Sequence, residues 1–199
     1  MKSVTHAGSL EVICGPMFSG KSEELIRRLR RARIARMNVC TFKPKVDVRY
    51  SPEHVVSHDG NALTAYSLGD PYEIVTIVQA QNINVIAIDE VQFFPEPLIN
   101  VISTLIHSGK RIIAAGLDTD FKGAPFGIMP HLLALADSVT KLQAICTLCG
   151  QLAIHSQRIV NGQPARAHDP IVMVGAQESY QARCRSCYTI DHPYGLLQI

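Results

Sequence analysis

The sequence predicts an α/β fold with a parallel sheet, followed by a small β-rich module. Three observations predict it. The octapeptide GPMFSGKS at residues 15–22 has the form G-x-x-x-x-G-K-S and sits between a β-capable run and an uninterrupted helical stretch. Two apolar runs, NVIAIDE at 84–90 and RIIAAGLDTDF at 111–121, end abruptly in acids, and continuous runs of this kind are expected of strands buried on both faces of a parallel sheet. Near residue 140 the composition changes, and two C-x-x-C pairs bracket short β-capable segments.

Taken in chain order, SLEVIC at 9–14 is the first strand, and it leads straight into the glycines. From Ser22 the chain reads SEELIRRLRRARIARM without Gly or Pro, and Leu25, Leu29 and Ala32 form an apolar stripe at helical spacing. Early Glu23 and Glu24 and later arginines match the dipole of such a helix. A strand is predicted at 38–42, ending before Pro44. KVDVRYSPEHVVSHDGNALTA reads as an irregular excursion and 71–82 as a mixed segment. PLINVISTLIHSG at 97–109 is the next helix, stopped by Gly109. SVTKLQAIC, SQRIV and HDPIVMVG are predicted short strands of the module. A boundary near 142 divides a core at 1–142 from a module at 143–199.

Composition narrows the partners. At 199 residues and 47% hydrophobic, the chain can bury one substantial core. No stretch approaches the roughly 20 apolar residues of a membrane span, and no secretory signal is read at the start, so a soluble intracellular protein is expected. Arg27, Arg28, Arg30, Arg31, Arg33 and Arg36 lack interleaved aromatics, and the net charge is only +2. A solvated helix face, open to subunit contacts, fits better than a nucleic-acid patch.

The octapeptide is built to hold phosphate. Gly15 and Gly20 let the backbone of Pro16, Met17, Phe18 and Ser19 turn tightly and aim N–H groups inward. Lys21 would reach the terminal phosphates of a nucleotide and Ser22 would ligate its magnesium. Asp89, at the end of an apolar strand, would complete the magnesium side. Magnesium needs only one acid there, so Glu90 is free to accept a proton from an attacking hydroxyl, either water or a substrate alcohol. The residues alone do not choose between an ATPase and a kinase. Asp47 and Arg49 could flank the acceptor and the transferred phosphate, although an ordinary exposed ion pair explains them equally, and His58 suits a turn. Phe93, Phe94, Phe121 and Phe126 cluster around the strand ends, where they could form a slot for a nucleobase.

Among six cysteines, Cys14 and Cys40 stand in apolar stretches and read as buried and inert. Cys146, Cys149, Cys184 and Cys187 give CTLC and CRSC, two knuckles separated by 34 residues, which match the tetrahedral requirement of structural zinc. Between them, NGQPARAHD is too polar and turn-rich for a core strand. An excursion pinned by metal at both ends could close over substrate and exclude water.

Together, GPMFSGKS, DVRYS, IDEVQFF, GLDTDFKGAPF, CTLC, CRSC and VGAQESY resemble the type II thymidine kinases, the cytosolic, zinc-containing family, across residues 9–188. The resemblance implies a RecA-like P-loop core, a structural zinc and a lasso loop over the nucleoside. It implies transfer of phosphate from magnesium-bound ATP to the 5′-hydroxyl of thymidine, feedback inhibition by dTTP, a homotetramer and a cytoplasmic location, without nucleic-acid or membrane partners. By resemblance, Glu90 is the base, Asp89 and Ser22 the magnesium side, Lys21 the phosphate clamp, and Asp47 and Arg49 the acid–base pair near the transferred phosphate. Met17, Phe93, Leu117, Phe121, Phe126 and Tyr180 match nucleoside-pocket positions, with the thymine edge read by backbone around Val172, Val174 and Gly175. A DNA-stimulated P-loop ATPase and a zinc-ribbon binding module with a vestigial nucleotide site are the competing readings. The absence of DNA-binding loops opposes the first, and the intact Lys21, Ser22, Asp89 and Glu90 oppose the second.

Overall fold

A computed structural model describes residues 7–45, 54–56, 62–171 and 178–190. Asp47, Arg49, His58, Val172, Val174 and Gly175 lie outside the described residues. In chain order the elements of the larger part are β1 (Ser9–Cys14), α1 (Lys21–Ile34), β2 (Val39–Pro44), β3 (His54–Val56), β4 (Ala62–Thr64), β5 (Tyr66–Leu68), α2 (Glu73–Ala80), β6 (Val85–Ile88), α3 (Pro97–His107), β7 (Arg111–Gly116), α4 (Met129–Leu135) and β8 (Ser138–Lys141). Six of these strands form one sheet in the order β5-β2-β6-β7-β1-β8, and every neighbouring pair is parallel.

The central strands are apolar on both faces because both faces are covered. Leu10, Val12, Ile86, Ile88, Ile112 and Ala114 pack with the buried sides of α2, α3 and α4. Ile13, Val85, Ala87, Ile113 and Ala115 face the other way, against Leu25, Ile26, Leu29 and Ala32 of α1. Fully buried Leu25 and Leu29 each contribute roughly 1.5–3 kcal/mol to this packing. The parallel arrangement brings the C-terminal ends of β1, β6 and β7 to one edge, the edge at which open α/β sheets bind ligands.

The sequence places the central strands and both long helices close to their observed bounds. Asp89 and Glu90 lie just past β6 rather than within it. The mixed segment at 71–82 contains α2, whose buried Ile74 and Val78 are four residues apart. Within the irregular excursion, β3 and β4 pair antiparallel. Phe94 departs from the predicted aromatic slot and packs into the core at 3% exposure. The arginines in and just after α1 divide: Arg27, Arg30, Arg31, Arg33 and Arg36 are exposed, whereas Arg28 turns inward to Glu11 at 2.7 Å and Glu24 at 2.8 Å. Hydrogen bonds from Arg27 first, and then Arg28, hold the Glu24 carboxyl down at about 2 against its partial burial.

SVTKLQAIC splits between two sheets. Its first half, β8, joins the parallel sheet beside β1, and its second half enters the smaller part of the chain. There β9 (Ala144–Ile145) pairs with β10 (Leu152–Ala153), and β11 (His155–Val160) pairs antiparallel with β12 (Gln163–Pro164) and β13 (Glu178–Arg183). The described part of HDPIVMVG, 168–171, carries no strand. No helix among the described residues is long and apolar enough to cross a membrane.

Candidate active site

The glycine-rich loop leaves β1 and enters α1 without a break. Gly15 takes φ 142° and Gly20 takes φ 84°, in a backbone region that costs other residues energy. At Gly15 there is also no space: a Cβ would lie 2.4 Å from the Leu142 carbonyl oxygen. Phe18 holds φ 65° at the tip, a strained value for a bulky residue and a mark of an over-determined loop. The Ser19 hydroxyl and the Lys21 ammonium both donate to the Pro16 carbonyl, at 2.8 and 2.7 Å, and the Met17 N–H donates to Ser156 Oγ at 2.9 Å. With Gly20 as its N-cap, α1 presents its unpaired N–H groups and positive dipole end at the loop, an arrangement suited to phosphate.

Across this loop stand the acids after β6. Asp89 is 7% exposed; its Oδ1 accepts the Glu90 N–H at 3.0 Å, and its Oδ2 lies 3.5 Å from Ser22 Oγ. A hydroxyl and a carboxylate set this way provide the hard oxygen donors that magnesium takes alongside water and phosphate. Burial pushes the Lys21 ammonium below its ordinary pKa, opposed by the negative charges of Glu90, Asp89 and Asp118 and the nearby Cys14. Glu90 adopts φ 49°, left-handed backbone that a glutamate rarely takes. Gln92 donates to Glu90 Oε2 at 2.5 Å.

The predicted pocket residues come from three directions. Leu117 is buried just past β7, and its N–H donates to Gln92 Oε1 at 3.1 Å. Phe93 and Phe126 meet edge to face with centroids 5.3 Å apart. Phe121 lies under the Arg158 guanidinium, 4.4 Å from its ring centroid, and its carbonyl accepts the Tyr188 hydroxyl at 2.7 Å. Tyr180 on β13 sits directly opposite Arg158 on β11. Arg158 also donates to the carbonyls of Pro170 and Ile171, at 2.7 and 3.3 Å, so the base of the excursion is tied to the wall bearing Phe121. The sequence reading assigns no functional role to Ser156, Arg158 or Gln92. Only Gln92 has a visible signal, its place in IDEVQFF beside the acids.

The four knuckle cysteines converge, with their sulfurs all within 4.8 Å of one another and Cys149 and Cys184 3.5 Å apart. Zinc–sulfur bonds of about 2.3 Å in a tetrahedron require sulfurs slightly under 4 Å apart, so this set fits the ion. Each knuckle is closed by backbone: the Gly150 N–H donates to the Cys146 carbonyl at 2.9 Å, and the Cys187 N–H to the Cys184 carbonyl at 3.1 Å. Cys14 and Cys40 are buried in the core, as expected, and burial is the largest cause pushing each thiol up to about 11.

The sequence profile of one family, described as thymidine kinase, matches residues 8–188. The chain belongs to the thymidine kinase family. Membership in the thymidine kinases supports kinase activity for this chain, in preference to a zinc-ribbon module that binds without chemistry. Among solved structures, it is similar to the flagellar accessory protein FlaH from Methanocaldococcus jannaschii, at 17% identity and a TM-score of 0.48, covering 74% of this chain and 76% of that one.

Proposed function

We propose that this chain is a type II thymidine kinase that transfers the γ-phosphate of ATP to the 5′-hydroxyl of thymidine, giving dTMP and ADP in nucleotide salvage. One observation carries the reading: a second carboxylate, Glu90, stands beside Asp89 at the sheet edge that also bears Lys21 and Ser22, in a chain of the thymidine kinase family. On this reading the core at 1–142 is RecA-like, and 143–199 is a zinc-binding subdomain carrying the lasso.

Loop N–H groups from Phe18 to Ser22 cradle the phosphates, and Lys21 clamps the β- and γ-phosphates. Ser22 and Asp89 hold magnesium, which when bound with ATP neutralises phosphate charge. Glu90 Oε1 accepts the 5′-hydroxyl proton as that oxygen bonds to the γ-phosphorus; the bond to the β,γ-bridging oxygen breaks, and its electrons leave with ADP. Met17, Phe93, Leu117, Phe121, Phe126 and Tyr180 enclose the nucleoside, and backbone around Val172, Val174 and Gly175 reads the thymine edge. Asp47 and Arg49 attend the acceptor and the transferred phosphate. Cys146, Cys149, Cys184 and Cys187 hold structural zinc. The enzyme is a cytoplasmic homotetramer.

A nucleoside panel assayed with γ-labelled ATP tests this reading. Label is expected in thymidine 5′-monophosphate, with turnover that DNA does not stimulate. Label appearing only as free phosphate would make the chain an ATPase instead.

The family resemblance also implies end-product control by dTTP. The base and sugar of dTTP fill the nucleoside pocket while its triphosphate runs into the glycine loop. Inhibition should therefore compete with thymidine and weaken at least tenfold in Lys21→Ala, which loses one charge-assisted contact. Undiminished inhibition of that variant in a competition assay would require a separate regulatory site.

A further inference from the structure

We infer that Gln92 is a positioning residue that sets the general base, fixing which oxygen of Glu90 is available and where it stands relative to the nucleoside pocket. This rests on the reading of Glu90 as the base.

The side-chain amide of Gln92 is used at both ends and is 3% exposed. Its Oε1 accepts the Leu117 N–H at 3.1 Å, just past the end of β7. A backbone N–H in that buried place demands an oxygen, so the amide has one permitted orientation, and its NH2 must face Glu90. There it donates to Glu90 Oε2 at 2.5 Å. Among the described residues no hydrogen bond reaches Oε1, which leaves that atom for an incoming hydroxyl.

Sterics hold the amide in place. A Cβ added to Gly116 would fall 2.5 Å from Gln92 Oε1, and one on Gly127 would fall 2.2 Å from the Gln92 carbonyl oxygen. Both neighbours are therefore small where Gln92 comes through. The left-handed backbone at Glu90 (φ 49°) turns the chain so that residue 92 reaches back to residue 90. Leu117 is itself an assigned wall of the pocket, so one rigid amide spans the base and the surface that would seat the sugar. Lys21 is charge-coupled to Glu90, and Asp89 Oδ1 accepts the Glu90 N–H.

The test is a double-mutant cycle with steady-state kinetics. Gln92→Met keeps length and bulk but donates nothing, and Gln92→Glu keeps the acceptor for Leu117 while setting a carboxylate against Glu90. Each is expected to lower kcat about 10–100-fold, the scale of a small misplacement of a reacting group, with the KM for ATP within about threefold. In a Glu90→Gln background Gln92→Glu, which keeps the acceptor for Leu117, should have almost no further effect on kcat, because the donor end of the amide acts through the base. Additive losses, or a wild-type kcat in both single variants, would overturn the proposal. If Glu90→Gln itself keeps wild-type turnover, the base assignment fails first, and the two failures are told apart by that single variant. A further readout does not need a folded position-92 variant. In spectra of the 15N-labelled protein, the Gln92 side-chain amide signal should shift on Glu90→Gln more than other glutamine amides do. An unmoved signal would also overturn it.

Discussion

Glu90→Gln is expected to fold, bind ATP and thymidine nearly as the wild type does, and lose about 10²–10⁴-fold in kcat, the usual range for removing a general base. The alternatives nearby are already occupied. Asp89 Oδ1 accepts the Glu90 N–H and its Oδ2 faces Ser22, which commits that carboxylate to the magnesium side. Glu90 Oε2 takes the amide of Gln92, which leaves Oε1. In the variant, the carboxamide oxygen can still accept from Gln92, so packing is preserved. Its NH2 then occupies the place of Oε1, where it can donate to the 5′-hydroxyl and accept nothing from it. Because the lost interaction forms only as the proton moves, kcat and kcat/KM should fall together. Steady-state kinetics beside calorimetric titration of each substrate separates this from a binding defect. A folded Glu90→Gln enzyme retaining more than about half of wild-type kcat would move the base elsewhere, with Asp47 the next carboxylate in line.

Much of this site could be read in the sequence because its chemistry lies in contiguous words. GPMFSGKS needs only a strand before it and a helix after it, and both neighbours announce themselves by periodicity. Asp89 and Glu90 close an apolar run, so their edge is fixed once the strand is known to be parallel and central. What stayed hidden was pairing across long separations. Nothing near Ser156 says that its hydroxyl accepts the Met17 N–H, 139 positions earlier. Nothing in SQRIV marks Arg158 as an interior residue, yet it is fully buried, with Phe121 and two loop carbonyls around its guanidinium. Phe94 shares its sequence neighbourhood with Phe93 but points into the core: after the short 3-10 turn at Val91–Phe93 its backbone is extended, and successive side chains diverge. Only the folded strand ends decide such contacts.

Cys184→Ser is expected to cost the bound metal and the folded state of the module together. Purified wild-type protein should carry about one zinc per chain, and the variant almost none. The reason lies in how little else holds this region together. Among the described residues its buried cluster consists of Ala144, Ala153 and Ala182 with Cys146 and Cys184, and Cys187 packs against it. Three alanines bury too little apolar surface to offset the entropy of ordering these chain segments. Zinc binding to four thiolates supplies roughly 10–16 kcal/mol in small zinc modules, and most of it appears as folding free energy. The parallel sheet has its own core on both faces, so far-UV circular dichroism should keep most of its helical signal. Activity should nevertheless fall by about 100-fold or more, as expected when reacting groups lose their positioning. The folded module supplies Ser156 to the Met17 N–H, Arg158 to the ring of Phe121, and the Tyr188 hydroxyl to the Phe121 carbonyl. Chelation of the wild type should reproduce the same loss, reversibly on returning zinc. A fully active metal-free enzyme, or a Cys184→Ser variant with unchanged melting and turnover, would show that the four sulfurs hold the module without an ion.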